Sequence, residues 1–187
     1  MHIFAEKVSA LMIRIFLIGY MGAGKTTLGK AFARDLNISF VDLDWYIEER
    51  YHKTVGELFA EMGESGFREL EKMMLHEVGE FEDVIISTGG GTPCFFNNMD
   101  YMNEHGTTVF LEASPGVLHK RLCVATQSRP ILQGKTEKEL YDFIVEKLAE
   151  RMQYYSLAQY TFNADELENR WQINDSVRQL REMLDLC

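Results

Sequence analysis

The sequence is short of proline, cysteine and basic residues, and each shortage excludes a class of protein. Its three prolines are scattered. With no Pro/Ser-rich linker, low-complexity tract or internal repeat, tandem domains on a spacer are not expected. Its three cysteines, Cys94, Cys123 and Cys187, lie far apart, with no C-x-x-C pair and no histidines at metal-ligand spacing. That pattern fits neither a disulfide framework nor a zinc site. It fits a reduced, cytoplasmic compartment, with each cysteine a small buried apolar residue. Nineteen basic residues face 29 acidic ones, for a formal net charge of −10. This balance repels phosphate backbones and anionic lipid, so nucleic acid and membrane are not expected partners. The opening MHIFAEKVSALM is interrupted by Glu6 and Lys7, too early for a signal peptide and too short to span a bilayer.

What the chain does have is apolar residues at regular spacing, 46% of 187 residues, enough to fill one core. Met12 directly precedes IRIFLIG, so residues 1–11 read as an N-terminal extension and 12–187 as a single domain, expected to be monomeric from its size and acidic surface. Residues 13–18 form a short β-branched run that ends at Gly19, the pattern of a buried strand. Leu28, Ala31, Phe32 and Leu36 then recur at helical spacing. Further apolar runs at 38–43, 84–86 and 107–111 alternate with helical patterns. This predicts an α/β fold, three layers around a central parallel sheet of about five strands. Helix starts are legible at Thr54 with Glu57 and at Thr136 with Glu139, both capping boxes, and at Ser114 followed by Pro115; the last helix is expected near Asp175. Residues 45–80 hold two or three helical pieces interrupted at Gly56, Gly63 and Gly66, too much for one crossover, and read as an inserted helical lobe for substrate. Residues 124–136, VATQSRPILQGKT, are polar and join two helices, and read as a mobile lid. Tyr154, Tyr155, Tyr160, Met62, Met73 and Met74 are expected to pack in the core, and His76 to sit on a helix surface.

Between the first strand and the first helix stands GYMGAGKTTLG. Gly19, Gly24, Lys25 and Thr26 satisfy G-x-x-x-x-G-K-S/T in the context the motif requires. In such a loop backbone N–H groups turn inward around phosphate oxygens, and the helix N-terminus adds partial positive charge. Gly22, Ala23, Gly24, Lys25, Thr26 and Thr27 are therefore the candidate ATP-binding residues. Lys25 would reach the β and γ phosphates, and the Thr26 hydroxyl would ligate Mg²⁺.

A phosphate loop also serves switches and motors, so the remaining residues must define the chemistry. In FVDLDWYIEE, Asp42 and Asp44 stand two apart near a strand end, where an extended backbone points both to one side. Beside a phosphate site they read as functional acids, against the alternative of a solvated turn. The strand that ordinarily ends in a magnesium-linked aspartate here ends in VIISTGGG, so Asp42 is the natural second metal residue, through a water. Gly89, Gly90 and Gly91 would let a small ligand approach the main chain, or would simply form a flexible turn. Arg68 stands one turn before Glu71, which is either a surface ion pair or a planar fork for a substrate anion. Arg129 in the lid and Arg151 on the following helix are further anion candidates. A lid arginine over ATP would offset charge on the transferred phosphoryl group.

In this order GYMGAGKTTLG, DLD, FRELE, TGGG, RPIL and ERMQYY resemble the shikimate kinase family, small P-loop enzymes of the nucleoside-monophosphate-kinase fold, over residues 13–175. The resemblance implies phosphorylation of the shikimate 3-hydroxyl by ATP with Mg²⁺, on the route to chorismate and the aromatic amino acids. It implies that Asp44, Arg68, Gly89, Gly90, Gly91 and Arg151 hold shikimate, that Lys25, Asp44 and Arg129 are catalytic, that Arg121 packs on adenine and that Asp42 is the second magnesium residue. Gln153 stands where the family often has proline, and FNADELE matches the adenine-contacting stretch weakly. Two rivals are a gluconate-type kinase on the same fold and a nucleotide-binding module without turnover. The DLD, FRELE and TGGG set weighs against the first, and the joint presence of Lys25, Asp44, Arg68 and Arg129 against the second.

Overall fold

The structure, a computed structural model, describes residues 12–125 and 136–186. The element order is β1 (Arg14–Ile18), α1 (Lys25–Leu36), β2 (Ser39–Asp42), α2 (Leu43–Tyr51), α3 (Val55–Val78), β3 (Val84–Ser87), a 3-10 turn (Thr92–Cys94), α4 (Asn98–His105), β4 (Thr107–Glu112), α5 (Pro115–Ala125), α6 (Glu137–Tyr155), β5 (Tyr160–Asn163) and α7 (Arg170–Met183). The strands form one five-stranded sheet in the order β2-β3-β1-β4-β5, every pair parallel. Phe16, Leu17, Ile18, Val84, Ile85 and Ile86 are fully buried at its centre. These continuous apolar strands are what a sheet covered on both faces requires. Because all strands are parallel, Ile18, Asp42 and Ser87 end at one edge. The order reverses around β1, and a ligand crevice opens at such a switch point.

Local chemistry places the helices. Thr54 and Thr136 each form the capping box legible in the sequence, with Glu57 and Glu139. The last helix begins at Arg170, not near Asp175, because the Asn169 side chain caps the Gln172 N–H at 3.0 Å; Asp175 lies inside the helix, pairing with Gln179 one turn on. Between β2 and β3 the chain kinks at Gly63 (φ 69), whereas Gly56 and Gly66 lie within α3 without breaking it. Among residues expected in the core, Tyr155 and Met74 are buried, but Met62, Met73 and Tyr160 are exposed. Tyr160 opens β5, an edge strand of which Phe162 alone is buried. Cys94 and Cys123 are half-buried rather than core residues, and Cys187 lies outside the described residues. His76 is half-buried, stacked on Tyr101 with ring centroids 3.8 Å apart, rather than free on a helix surface. Among the described residues no helix is long and apolar enough to cross a membrane. The segments 1–11 and 126–135, which contain the expected extension and most of the expected lid, lie outside the described residues.

Candidate active site

A cavity of about 410 Å³ opens at the carboxyl edge of the sheet, lined by Gly22, Gly24, Lys25, Thr26, Thr27, Asp42, Asp44, Ser87, Thr88, Gly90 and Arg121, with Leu167 and Glu168. The phosphate loop forms its floor. Gly24 caps α1 in the left-handed region (φ 98), which favours glycine because a side chain there would crowd its own backbone. Ala23 is buried behind the loop, its N–H bonded to the Tyr20 carbonyl at 3.1 Å. Lys25 is buried too, and its ammonium donates to the Gly19 and Tyr20 carbonyls at 2.8 and 3.1 Å. These carbonyls hold the charge at the loop's rim.

The two aspartates reach the cavity by a route different from the one the sequence implies. The strand stops at Asp42 and α2 starts at Leu43, so Asp44 sits in the first turn of a helix rather than two places along an extended strand. Both still line the cavity. The Thr26 hydroxyl donates to the Asp42 carboxylate at 2.7 Å. Asp44 is pushed up to about 6, mainly by burial and then by the negative charges of Asp42 and Glu71, against the opposing pull of Lys25. A carboxyl group so placed is poised to exchange a proton near neutrality. Among the described residues no group of three or more His, Cys, Asp or Glu side chains could hold a metal. The residues able to contribute are Thr26 and Asp42, which suits magnesium, since it takes one or two protein oxygens and completes its shell with phosphate and water.

The glycine loop joins this floor to a cluster of charged side chains. A Cβ on Gly89 would lie 2.8 Å from Glu71 Oε1 and 3.0 Å from Asp44 Oδ1, and one on Gly91 would lie 2.8 Å from Arg68 Nη2. Arg68 and Glu71 do form the i, i+3 pair, at 2.6 Å, but the pair is buried rather than on the surface: their side chains are 12% and 2% exposed. Glu71 also accepts from the Thr92 hydroxyl at 2.6 Å. The Arg68 guanidinium lies over the Phe95 ring at 4.3 Å. Nothing in the sequence pattern marks Thr92 as Glu71's second partner, because the two meet only in the folded chain. Arg151 lies on α6 with its guanidinium 5.3 Å from the Tyr20 ring centre.

Arg121 lines the same cavity from α5, and four of its five N–H groups are engaged. Nε donates to Glu168 at 3.0 Å, Nη1 to the Gly22 and Ala164 carbonyls at 3.3 and 3.0 Å, and Nη2 to the Asp165 carbonyl at 3.0 Å. What it can offer a ligand is its flat face. Residues 164–168 belong to the FNADELE stretch noted in the sequence, but their bonds to Arg121 are not legible there, since carbonyls rather than side chains make most of them. Arg129 lies outside the described residues.

A phosphate loop at the sheet's switch point, faced across one cavity by a buried carboxylate and a glycine turn, defines a P-loop phosphotransferase that acts on a small molecule. Comparison with known proteins makes this specific. The family model described as Shikimate kinase matches residues 21–182. The shikimate kinase of Bacteroides thetaiotaomicron is 68% identical over 175 residues, covering 94% of this chain and 100% of that protein. The one from Bacteroides fragilis is 70% identical over 175 residues, covering 94% and 98%. Among solved structures, the crystal structure of the B. thetaiotaomicron enzyme superposes with a TM-score of 0.92 over 94% of this chain and 99% of the other. Shikimate kinase from Acinetobacter baumannii in complex with shikimate superposes at 0.80 with 28% identity, over 94% of each chain. The chain belongs to the shikimate kinase family.

Proposed function

We propose the following division of labour for the reaction of this chain, ATP-dependent phosphorylation of the 3-hydroxyl of shikimate to shikimate 3-phosphate and ADP, on the route to chorismate and the aromatic amino acids. The phosphate loop, Gly22 to Thr27, holds the ATP phosphates, and the Lys25 ammonium turns from the Gly19 and Tyr20 carbonyls toward the γ-phosphoryl group. Thr26 and Asp42 would hold a magnesium ion, which supplies positive charge against that developing on the phosphate oxygens. Arg121 packs its face on adenine, most of its edge being occupied. Arg68 and Arg151 take the shikimate carboxylate, and Gly89, Gly90 and Gly91 let the ring approach the main chain. Asp44 hydrogen-bonds the attacking hydroxyl and accepts its proton as the new P–O bond forms and the bond to ADP breaks. Arg129 is assigned to offset negative charge on the transferred phosphoryl group. The observation that carries this reading is the shared cavity of Lys25, Thr26, Asp42, Asp44 and Gly90. The charge of −10 supports a monomer that binds neither nucleic acid nor membrane, and the three scattered cysteines suit a cytoplasmic setting.

An ADP-release assay across hydroxy acids tests the substrate. Turnover is expected with shikimate and not with gluconate; turnover with gluconate alone, or with neither, overturns the reading. The Asp44 assignment carries its own pH signature. With this carboxyl at about 6, the proton-accepting form is lost on acidification, so kcat/KM for shikimate should level off above that pH and fall about tenfold per unit below it. A profile flat to pH 5 would show that another group takes the proton.

A further inference from the structure

Tyr155 ends α6, one turn after Arg151, so the two side chains share a helix face. Its side chain is fully buried, the ring stacked on Phe110 with centroids 5.0 Å apart. The hydroxyl donates to the Gly90 carbonyl at 2.6 Å. A phenol has a single proton to donate, and the Gly90 carbonyl takes it, which leaves the oxygen's lone pairs toward the Arg151 charge acting on it. Burial lifts this phenol above the ordinary tyrosine range, so it stays a donor throughout the working pH range. Gly90 itself is wedged: a Cβ there would lie 3.2 Å from the Met21 nitrogen, 3.4 Å from the Gly19 carbonyl oxygen and 3.4 Å from Arg151 Nη1. The space beside Gly90 is thus closed by the phosphate loop and by the Arg151 guanidinium together.

We propose that Tyr155 is the positioning residue that sets acceptor against donor: its hydroxyl pins the Gly90 peptide to α6 and so holds Arg151 in register with the phosphate loop. This rests on the reading that Arg151 takes the shikimate carboxylate. Tyr155 touches no substrate. It acts through Gly90 and Arg151, and a shift of a few tenths of an ångström between them would move the 3-hydroxyl off the line of attack.

Tyr155→Phe keeps the ring stack and removes the hydroxyl. The variant should raise KM for shikimate about tenfold, leave KM for ATP within about twofold, and lower the melting temperature by no more than about 4 °C. The decisive readout is discrimination between shikimate and its neutral carboxamide, measured by competition in wild type, Tyr155→Phe and Arg151→Met. Tyr155→Phe should lose preference for the carboxylate, as Arg151→Met does. Equal weakening of both ligands would mark Tyr155 as mere packing, and unchanged discrimination would remove the role outright. If Arg151→Met itself discriminates like wild type, the carboxylate assignment fails and the positioning role with it. If only Tyr155→Phe does so, the positioning role alone fails.

Discussion

Asp44→Asn is expected to slow phosphoryl transfer by about 10² to 10⁴-fold and, at the same time, to make the ligand-free protein harder to melt at pH 7.5. Both effects come from one buried carboxylate. In the folded chain Asp44 ionises at about 6, against 3.8 for an unperturbed aspartate, because burial and the charges of Asp42 and Glu71 oppose ionisation. The folded state therefore holds this proton more tightly than the unfolded state. Its contribution to stability is fully present below pH 3.8 and is lost as pH rises through about 6. At pH 7.5 the ionised group costs on the order of 3 kcal/mol, which the amide relieves, raising the melting temperature by roughly 6–12 °C. At pH 4 the two proteins should melt within about 2 °C of each other, since the carboxyl is then protonated in the folded state. Thermal melts at both pH values, beside steady-state assays, check this. A variant that is inactive but no more stable at pH 7.5 would show that Asp44 is not held against its charge. One that keeps turnover would remove it from the chemistry.

Glu71→Ala should cost about 3–5 kcal/mol of stability, or roughly 6–20 °C in melting temperature. The alanine leaves the Arg68 guanidinium charged among the rings of Phe59, Phe67 and Phe95 with its 2.6 Å partner gone, and leaves the Thr92 hydroxyl without its acceptor. Arg68→Met combined with Glu71→Met removes both charges and should recover most of the stability while shikimate use stays impaired, because the proposed anion-binding fork is absent. Arg68→Ala alone should act on the substrate side, raising KM for shikimate by about 10² with KM for ATP little changed. If the double substitution restores shikimate KM as well, the pair is structural and Arg68 does not bind substrate. Equal stability of Glu71→Ala and wild type would mean that the buried pair is not formed in solution.

Much of this architecture is legible in the sequence because it depends on near neighbours. The phosphate loop, with Gly24 at the helix cap and Lys25 and Thr26 after it, is set by local backbone geometry and by a strand and helix on either side. Thr54 with Glu57 and Thr136 with Glu139 satisfy their own helix ends within four residues. Asp42 and Asp44 read as partners for a reason the fold does not use. The extended backbone that would align them ends at Asp42, and the first turn of α2 carries Asp44 into the cavity instead. The spacing places the start of α7 too late because Asp175 is also a good cap residue, and Asn169 wins through the bond it makes to Gln172.

The sequence by itself determined the class of fold, the nucleotide loop and the kind of side chain available to the acceptor, since periodicity, capping and motif spacing act over a few residues. Tertiary structure alone decided that the Arg68–Glu71 pair is buried and shared with Thr92, that Arg121 presents a face rather than an edge, and that Gly90 is pinned by Tyr155. Those contacts to Thr92, Ala164 and Gly90 join residues 21 to 65 positions apart. No local pattern encodes them, because burial and charge environment exist only once the layers have closed.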